Sequence, residues 1–402
     1  MTTPDSRSQP VILSAARTPM GRFQGSLGAL SAPRLGAVAV RAAVERAGIQ
    51  RPEEIDEVLM GNVVSAGLGQ APARQAAIYA GLPATVGAST LNKVCGSGLK
   101  VGMLAAQAIR AGDAQLIVAG GMESMSNAPF LVDGRAGLRF GHRQLTDALL
   151  HDGLWDPFED WAMGMAAEWI AERFEVTREA MDRWSLESHQ KAIAAIESGK
   201  FAAEIAPVEI PGKKGQATTF AVDETPRRDA SLEALASLKP AFKPDGRVTA
   251  GNSPGLNDGA AAIVYASRAK AEELGRAPLA RVVGYAQAAV APKELFYAPA
   301  VAIPRLLGKT GWTLKDVDLI ELNEAFAAQV LADGYALLDQ GWDWSKVNVN
   351  GGGVALGHPI GASGARILTT LLYALKDRGL RRGIAALCLG GGEAVAMAVE
   401  IE

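Results

Sequence analysis

Apolar and polar positions along this chain switch repeatedly between the period of a strand and that of a helix. Short apolar runs occur at 116–119 and 384–389. A helical pattern precedes each run, opening at 96–98 in the first case and at 362–364 in the second, and a glycine cluster follows each run. Strands that alternate with helices are typical of α/β layers. We therefore expect mixed sheets covered by helices.

The same order of features occurs twice. Residues 47–60 and 310–322 each contain a helix end at a glycine, a short acidic turn and an apolar strand. A short repeat would indicate a solenoid. One long repeat instead predicts two similar domains that pack together.

The stretch between the two copies matches neither of them. Within it, 177–198 is predicted to be an amphipathic helix with Thr177 as its N-cap, and 201–211 is predicted to be extended. We expect this stretch to lie over the paired domains, where binding elements are often found. The predicted division is an N-terminal half of 1–124 with 257–277, an insertion of 125–256, and a C-terminal half of 278–402.

Composition narrows the class of protein. With 402 residues, 49% of them hydrophobic, the chain can bury ample core in two or three domains. A net charge of −3 argues against nucleic acid as a partner. The sequence contains no long uncharged apolar run, and residues 1–10 lack the apolar stretch of a signal sequence, so we expect neither a membrane span nor secretion. Two cysteines make no disulfide framework or zinc site, which favours a reducing cytoplasm.

Cys95 is the first candidate for chemistry. It stands between a strand-like segment and the helix predicted over 99–111, within the motif Cys-Gly-Ser-Gly. The helix dipole at this position favours a thiolate, and the glycines would let a substrate approach the backbone. A buried cysteine that acts as a small apolar residue is an equally weighted interpretation.

His358 is the second candidate. It lies in a glycine-rich turn that runs into a helix, and no lysine follows in the P-loop pattern, which excludes a nucleotide-phosphate loop. The other histidines, His142, His151 and His189, occupy polar segments of the insertion and are predicted to be solvated. A histidine in a rigid frame suits general-base work on a thiol.

Cys388 and Asn323 complete the set. Cys388 ends the last apolar strand of the second copy, before Gly390. The two cysteines could be core residues, a redox pair or two catalytic thiols, and a pseudo-twofold arrangement would bring both glycine clusters to one cleft. Asn323 can hold a water or donate to an oxyanion, although an asparagine at a strand end is also a common turn former.

Taken together, these motifs resemble those of the thiolase family. Four motifs occur in the family's order, at 95–98, 323–327, 357–364 and 388–392, and the resemblance covers nearly the whole chain. It implies a five-layer αβαβα fold of two related mixed-sheet halves with an inserted loop domain. It also implies reversible Claisen condensation of two acetyl-CoA to acetoacetyl-CoA and CoA, or thiolysis of 3-ketoacyl-CoA.

The resemblance also implies a role for each residue. Cys95 would be acylated, His358 would activate it, and Cys388 would move the proton at the α-carbon. Asn323 would hold a water that forms one oxyanion hole with His358, and the backbone N–H groups of Cys95 and Gly390 would form the other. The residues that would contact CoA and the acyl group are Met163, Arg227, Ser253, Leu295 and Phe326.

Further expectations follow from the same family. Coenzyme A is substrate and product, with no metal or resident cofactor, and relatives are dimers or tetramers that serve fatty acid metabolism. This sequence departs from the family pattern near the acyl pocket, with Ala162 where many short-chain members have His, Pro254 after Ser253, and Leu295 in place of Met. Glu393-Ala394 also departs from the last motif.

Three alternatives stay open. A ketoacyl-synthase-type condensing enzyme would usually need a second catalytic histidine, where Asn323 stands here. A catalytically silent CoA-binding paralogue would keep the fold without turnover. A redox role would use a disulfide between Cys95 and Cys388.

Overall fold

The computed structural model describes residues 6–135, 137–212 and 216–402. Residues 1–5 lie outside the described residues. The predicted N-terminal half begins within them, and they belong to the stretch where no signal sequence is expected. The strands are β1 (Pro10–Arg17), β2 (Gly21–Arg22), β3 (Glu57–Gly61), β4 (Gly87–Leu91), β5 (Leu116–Ser124), β6 (Phe130–Leu131), β7 (Thr146–Asp147), β8 (Trp155–Asp156), β9 (Trp161–Ala162), β10 (Val208–Pro211), β11 (Ala217–Phe220), β12 (Asn257–Ser267), β13 (Ala280–Ala289), β14 (Leu319–Leu322), β15 (Arg382–Leu389) and β16 (Glu393–Ile401).

Helices connect and cover these strands. The α-helices are α1 (Ala32–Ala47), α2 (Pro72–Tyr79), α3 (Ser97–Ala111), α4 (Met163–Arg173), α5 (Arg178–Glu197), α6 (Leu232–Ala236), α7 (Arg268–Glu273), α8 (Ala298–Thr310), α9 (Ala327–Leu337), α10 (Gly353–Leu356) and α11 (Ile360–Asp377). A π-helical turn spans Leu149–Leu154. Across the described ranges, none of the helices combines the length and apolarity needed to cross a bilayer.

The large sheet consists of two half-sheets with one strand order. The first half runs β1-β12-β5-β3-β4 and the second runs β13-β16-β15-β14. In both halves the inner pairs are antiparallel and the outer pairs are parallel. The halves join where β1 meets β13, with Val11 opposite Arg281. The predicted internal repeat is therefore present in the structure.

The helices that precede the matching strands of the two halves end in the same way. Helix α1 ends at Gly48 with φ +66°, and α8 ends at Gly311 with φ +74°. A left-handed residue of this kind closes a helix, and glycine adopts it without steric cost. Each helix then leads into the matching parallel strand, β3 or β14, as the sequence predicted.

Three large apolar cores separate five layers. One core lies between α1 with α2 and the outer face of the first half-sheet. A second surrounds α3 and α11, which lie between the two half-sheets. The third joins the second half-sheet to α4, α8 and α9. The αβαβα layering expected from the sequence is thus the observed one.

The glycines near Cys95 serve the packing of the two central helices. A Cβ on Gly98 would lie 2.7 Å from the backbone nitrogen of Ala365, and one on Gly364 would overlap the backbone nitrogen of Leu99. A Cβ on Gly96 would overlap the side chain of Leu389. The expectation that these glycines also let a substrate approach the backbone stays a prediction. They allow α3 and α11 to approach each other, which places the two glycine-rich motifs side by side.

The insertion contributes α4, α5 and α6 and several short strands. Thr177 caps α5 as predicted, since its Oγ1 accepts a hydrogen bond of 3.1 Å from the N–H of Ala180. The extended stretch is shorter than expected, because 201–204 form turns and the strand β10 begins only at Val208. The division at 125–256 stays a prediction.

Candidate active site

Cys95 lies in a tight turn between β4 and α3. The turn is held by Ser97, whose Oγ accepts from the N–H of Lys93 at 2.8 Å and donates to the carbonyl of Val94 at 2.6 Å. Val94 has φ +45°, which is rare for a β-branched residue. Strain of this kind persists only where the surroundings enforce it, and it is common at functional sites.

The surroundings of Cys95 favour its thiol form over the thiolate. Burial raises its pKa to about 12, and the charge of Glu123 adds to that effect. The backbone N–H groups of Gly390 and of Cys95 itself act in the opposite direction but do not outweigh burial. In the free protein the loss of solvation therefore opposes the helix dipole, which was expected to favour a thiolate at the start of α3.

His358 is held in one orientation. Its backbone N–H donates to Oδ1 of Asn257 at 2.9 Å, and Gly357 before it has φ +101°. Its Nδ1 lies 2.6 Å from Oγ of Ser363, and that hydroxyl donates to the carbonyl of Pro359 at 2.9 Å. The Ser363 oxygen therefore accepts from Nδ1–H, and the lone pair of the imidazole is on Nε2.

Burial keeps this imidazole uncharged. Burial lowers the pKa of His358 to about 3, and the nearby charge of Arg366 adds to the shift. The shifts at Cys95 and His358 both disfavour a thiolate–imidazolium pair in the resting site. The site can instead transfer a proton from sulfur to Nε2 when a substrate carbonyl takes up the developing charge.

Cys388 lies at the end of β15 and faces the same cavity as Cys95. Its side chain is buried, and burial raises the pKa of its thiol well above the usual value. Asp333 acts in the same direction, as would a thiolate at Cys95. Both cysteines line the same cavity. Both cysteines are free thiols.

Asn323 lies beside the imidazole. Its Nδ2 is 3.5 Å from Nε2 of His358, and its Oδ1 is buried without a hydrogen-bond partner in the described protein. The next residue, Glu324, accepts hydrogen bonds from Trp184 and Ser188 of the insertion and from Asn348 and the N–H of Val354. These bonds fix the loop that presents Asn323.

Sequence reasoning missed the carboxylate of Glu123. It is fully buried and accepts from the backbone N–H groups of Val63, Val64 and Gly361 and from the amide of Asn62. Burial nevertheless raises its pKa to about 7. The group joins the end of β5 to the first turn of α11, just after His358. In the sequence it belongs to the segment 120–126, which resembles a family motif but was given no catalytic or binding role.

One cavity of about 180 Å³ gathers most of the predicted residues. Most of its wall is apolar, and it includes the aromatic rings of Phe296 and Phe326, which contact each other edge to face at 5.5 Å. Phe242 contacts Phe326 in the same way at 6.4 Å. Lining residues that the sequence had singled out are Cys95, Ala162, Met163, Ser253, Pro254, Leu295, Phe326, His358, Cys388 and Gly390.

Arg227 lies in an adjoining polar cleft and not in the catalytic cavity. This cleft has a volume of about 450 Å³ and shares Ser253, Gly255 and Leu256 with the cavity. The hydroxyl of Ser253 donates to the carbonyl of Thr249 at 2.7 Å, so only its lone pairs can serve a ligand.

His189 lines the same cleft and is buried, which corrects the prediction that it is solvated. Its Nδ1 accepts from the backbone N–H of Arg227 at 3.1 Å. Burial lowers its pKa to about 4, and the charge of Arg227 adds to this. Its role is to hold the loop that carries Arg227.

Comparison with known proteins identifies the fold and the family. The N-terminal domain of thiolase matches residues 10–269, and the C-terminal domain of thiolase matches residues 276–401. A crystal structure of the acetyl-CoA acetyltransferase of Bacillus anthracis superposes with a TM-score of 0.94 at 45% identity, covering 98% of this chain and 99% of that one.

Curated relatives support the same family assignment. The acetyl-CoA acetyltransferase of Cupriavidus necator is 55% identical over 391 residues, which is 97% of this chain and 98% of the relative. The acetyl-CoA acetyltransferase of Escherichia coli is 53% identical over 392 residues, with the same coverage. The matches span both halves and the insertion between them. The chain belongs to the thiolase family.

Proposed function

We propose that the protein is an acyl-CoA:acetyl-CoA C-acyltransferase that condenses two acetyl-CoA to acetoacetyl-CoA and CoA, and that catalyses the reverse thiolysis. The observation that carries this proposal is the convergence of Cys95, His358, Cys388 and the N–H of Gly390 on one cavity. Relatives more than 50% identical over almost their whole length are named acetyl-CoA acetyltransferases, which supports the same activity here.

The first half-reaction acylates the enzyme. Nε2 of His358 accepts the proton of Cys95 while the sulfur attacks the thioester carbonyl of acetyl-CoA. The bond from the carbonyl carbon to the CoA sulfur then breaks, and the CoA thiolate takes a proton from Cys388. The site now holds an acetyl group on Cys95, an imidazolium at His358 and a thiolate at Cys388.

The second half-reaction forms the carbon–carbon bond. The thiolate of Cys388 takes a proton from the α-carbon of a second acetyl-CoA, and the resulting enolate attacks the acetyl group. Cys95 leaves as a thiolate and recovers its proton from His358. Acetoacetyl-CoA departs and all three groups return to their starting protonation states, so the cycle needs no external acid or base.

Oriented donors stabilise the charge on oxygen. The backbone N–H groups of Cys95 and Gly390 would bind the oxyanion of the acyl group, and His358 with a water held by Asn323 would bind the enolate oxygen. A single donor of this kind contributes about 3 kcal/mol to the transition state. The contact of Asn323 with His358 supports its part in this site.

Coenzyme A, as substrate and product, would extend from the polar cleft into the catalytic cavity. The proposed reaction uses no resident cofactor or metal. The shared residues Ser253, Gly255 and Leu256 would line the pantetheine path, and Arg227 would meet the nucleotide end. Met163, Leu295 and Phe326 would contact the reacting end, and all three line the catalytic cavity.

We further propose a homo-oligomer, dimer or tetramer, that works in the cytoplasm on the acyl-CoA of fatty acid metabolism. Two features support self-association. Edge strand β4 leaves one side of the large sheet unpaired in the described chain, and several of its residues are exposed. The described residues of 130–135 and 137–145 include exposed apolar side chains, among them Phe130 and Phe140.

The test is thiolysis of acetoacetyl-CoA by the wild type and by Cys95→Ala, whose fold is checked by circular dichroism. We expect CoA-dependent cleavage by the wild type and loss of turnover by at least a thousandfold in the variant, since the acyl carrier is gone. Unchanged thiolysis by Cys95→Ala would refute the assignment. Wild-type activity with acyl-carrier-protein thioesters alone would favour a ketoacyl synthase, and inactivity with every thioester would indicate a silent paralogue.

A further inference from the structure

An ion pair joins the two halves of the chain directly beside the reactive cysteine. Nζ of Lys93 lies 2.5 Å from a carboxylate oxygen of Glu393, and both side chains are only partly exposed, at 20% and 33%. The partners are 300 positions apart in the sequence. Lys93 precedes Cys95 by two residues, and Glu393 directly follows the glycine turn that begins at Gly390.

Each partner is rigidly connected to one of the peptide N–H groups that face the acyl site. On the first half, the N–H of Lys93 donates to Oγ of Ser97, and its carbonyl accepts from Gly96 at 3.1 Å. These bonds close the turn that contains Cys95. A movement of Lys93 therefore moves the N–H of Cys95 with it.

The second half is equally constrained. Glu393 pairs with Leu389 across the hairpin and with Ala289 of β13, so its backbone belongs to the sheet. Gly391 and Gly392 between them have φ +87° and +86°. A Cβ on Gly392 would lie 2.8 Å from the carbonyl oxygen of Val290, so this turn has little room to shift.

The boundary between the segment of Cys95 and the turn of Gly390 is a seam that other contacts also cross. Besides the N–H of Gly390, which acts on the Cys95 sulfur, apolar side chains contact glycines across this seam. Val94 lies against Gly390, where an added Cβ would come within 3.3 Å of its side chain, and Leu389 lies against Gly96. Such contacts resist compression but do not resist separation strongly. A charged pair at the mouth of the seam supplies attraction between the two sides.

We propose that Lys93 and Glu393 form a positioning pair that fixes the distance between the N–H of Cys95 and the N–H of Gly390. The inference rests on the proposed function, in which these two groups bind the oxyanion of the acyl group. Donors of this kind work only within a few tenths of an ångström of the correct distance. The pair itself touches no reacting atom.

A neighbouring lysine, Lys100, helps to distinguish a positioning role of the Lys93–Glu393 pair from a simple effect of positive charge near the site. Lys100 lies near both partners: burial lowers its pKa, the charge of Lys93 lowers it further, and Glu393 raises it. A lysine side chain therefore remains beside the seam when Lys93 is replaced. If cationic charge alone mattered, removing Glu393 would help the reaction, whereas the positioning pair predicts that either removal harms it.

The test measures thiolysis of acetoacetyl-CoA by Lys93→Met, Glu393→Gln, the double variant and the swapped Lys93→Glu/Glu393→Lys. We expect each single variant to lower kcat about fivefold with KM nearly unchanged, the double variant to lose no more than either single, and the swap to recover most of the loss. High salt should lower kcat of the wild type toward that of the single variants.

The control is Lys200→Met, which removes a comparable pair with Asp377 at 2.7 Å, far from Cys95 in the fold, and should leave kcat unchanged. Wild-type kcat in both single variants would overturn the proposal, as would faster turnover in Glu393→Gln or a swap that recovers nothing. Failure of the proposed function is a different result, because the wild type itself would then cleave no acetoacetyl-CoA.

Discussion

The hydroxyl of Ser363 lies 2.6 Å from Nδ1 of His358 and donates onward to the carbonyl of Pro359. This short chain decides which imidazole nitrogen carries a proton. Because the hydroxyl proton is committed to the carbonyl, the serine oxygen accepts from Nδ1–H, and Nε2 stays available as the base. The role of His358 therefore depends on a residue five positions later, in the first turn of α11.

Replacement of Ser363 by Ala should lower kcat about tenfold, since a lost hydrogen bond worth about 1.4 kcal/mol no longer selects the productive tautomer. KM should change little. The control is Thr369→Val on the same helix, which deletes a hydroxyl that donates to Ala365. Equal losses in both variants, or none in Ser363→Ala, would contradict this role.

The reactivity of Cys95 should depend on pH in a way that follows from its raised pKa. With a pKa of about 12, the thiol predominates at every pH below that value. In a Cys388→Ala background, alkylation by iodoacetamide should rise tenfold per pH unit from pH 7 to pH 10 without a plateau. A plateau near pH 7 would mean that a thiolate already exists in the resting enzyme.

The close approach of α3 and α11 should make Gly364 intolerant of a side chain. Gly364→Ala would place a methyl group against the backbone nitrogen of Leu99 and should reduce the free energy of unfolding by about 2–3 kcal/mol. The control is Gly308→Ala in α8, which meets nothing within 4 Å and should stabilise the protein by about 0.5–1 kcal/mol. Urea unfolding of the two variants distinguishes the two explanations. If only the flexibility of glycine mattered, both substitutions would change the free energy of unfolding in the same direction.

Ala162 should set the longest acyl chain that the cavity accepts. Its methyl group lines the apolar wall near Met163. Ala162→Leu should leave kcat/KM for acetoacetyl-CoA within about threefold and reduce it more than tenfold for 3-ketoacyl-CoA of six carbons or more, since a misfit methylene costs about 1–3 kcal/mol. A parallel series on the wild type gives the reference. Equal losses at every chain length would mean that Ala162 does not contact the acyl group.

Local pattern was enough to predict much of the fold. The repeat ending at Gly48 and Gly311 requires only helix-closing glycines and apolar strands, and these act over a few residues. The cap at Thr177 is a local hydrogen bond. The order of motifs was likewise enough to nominate Cys95, His358 and Cys388, which the structure places on one cavity.

The features that could not be predicted depend on contacts between distant segments. Burial raises the pKa of Cys95 in a cavity whose lining includes residues of the insertion and of the second half, and a helix-dipole argument does not include this burial. His189 stands in a polar segment, yet its ring is covered by the loop of Arg227. Glu123 acquires its partners only when β5, the segment after β3 and α11 come together.

The most direct test of the account is mass spectrometry of the protein after incubation with acetyl-CoA labelled in the acetyl group. In a Cys388→Ala variant the second half-reaction is blocked, while acylation still balances because the CoA thiolate can take the proton that His358 received from Cys95. We therefore expect one label per chain, on the peptide that contains Cys95. Addition of CoA should discharge it. Label on any other residue, or a chain that stays unlabelled while condensation proceeds in the wild type, would contradict the account.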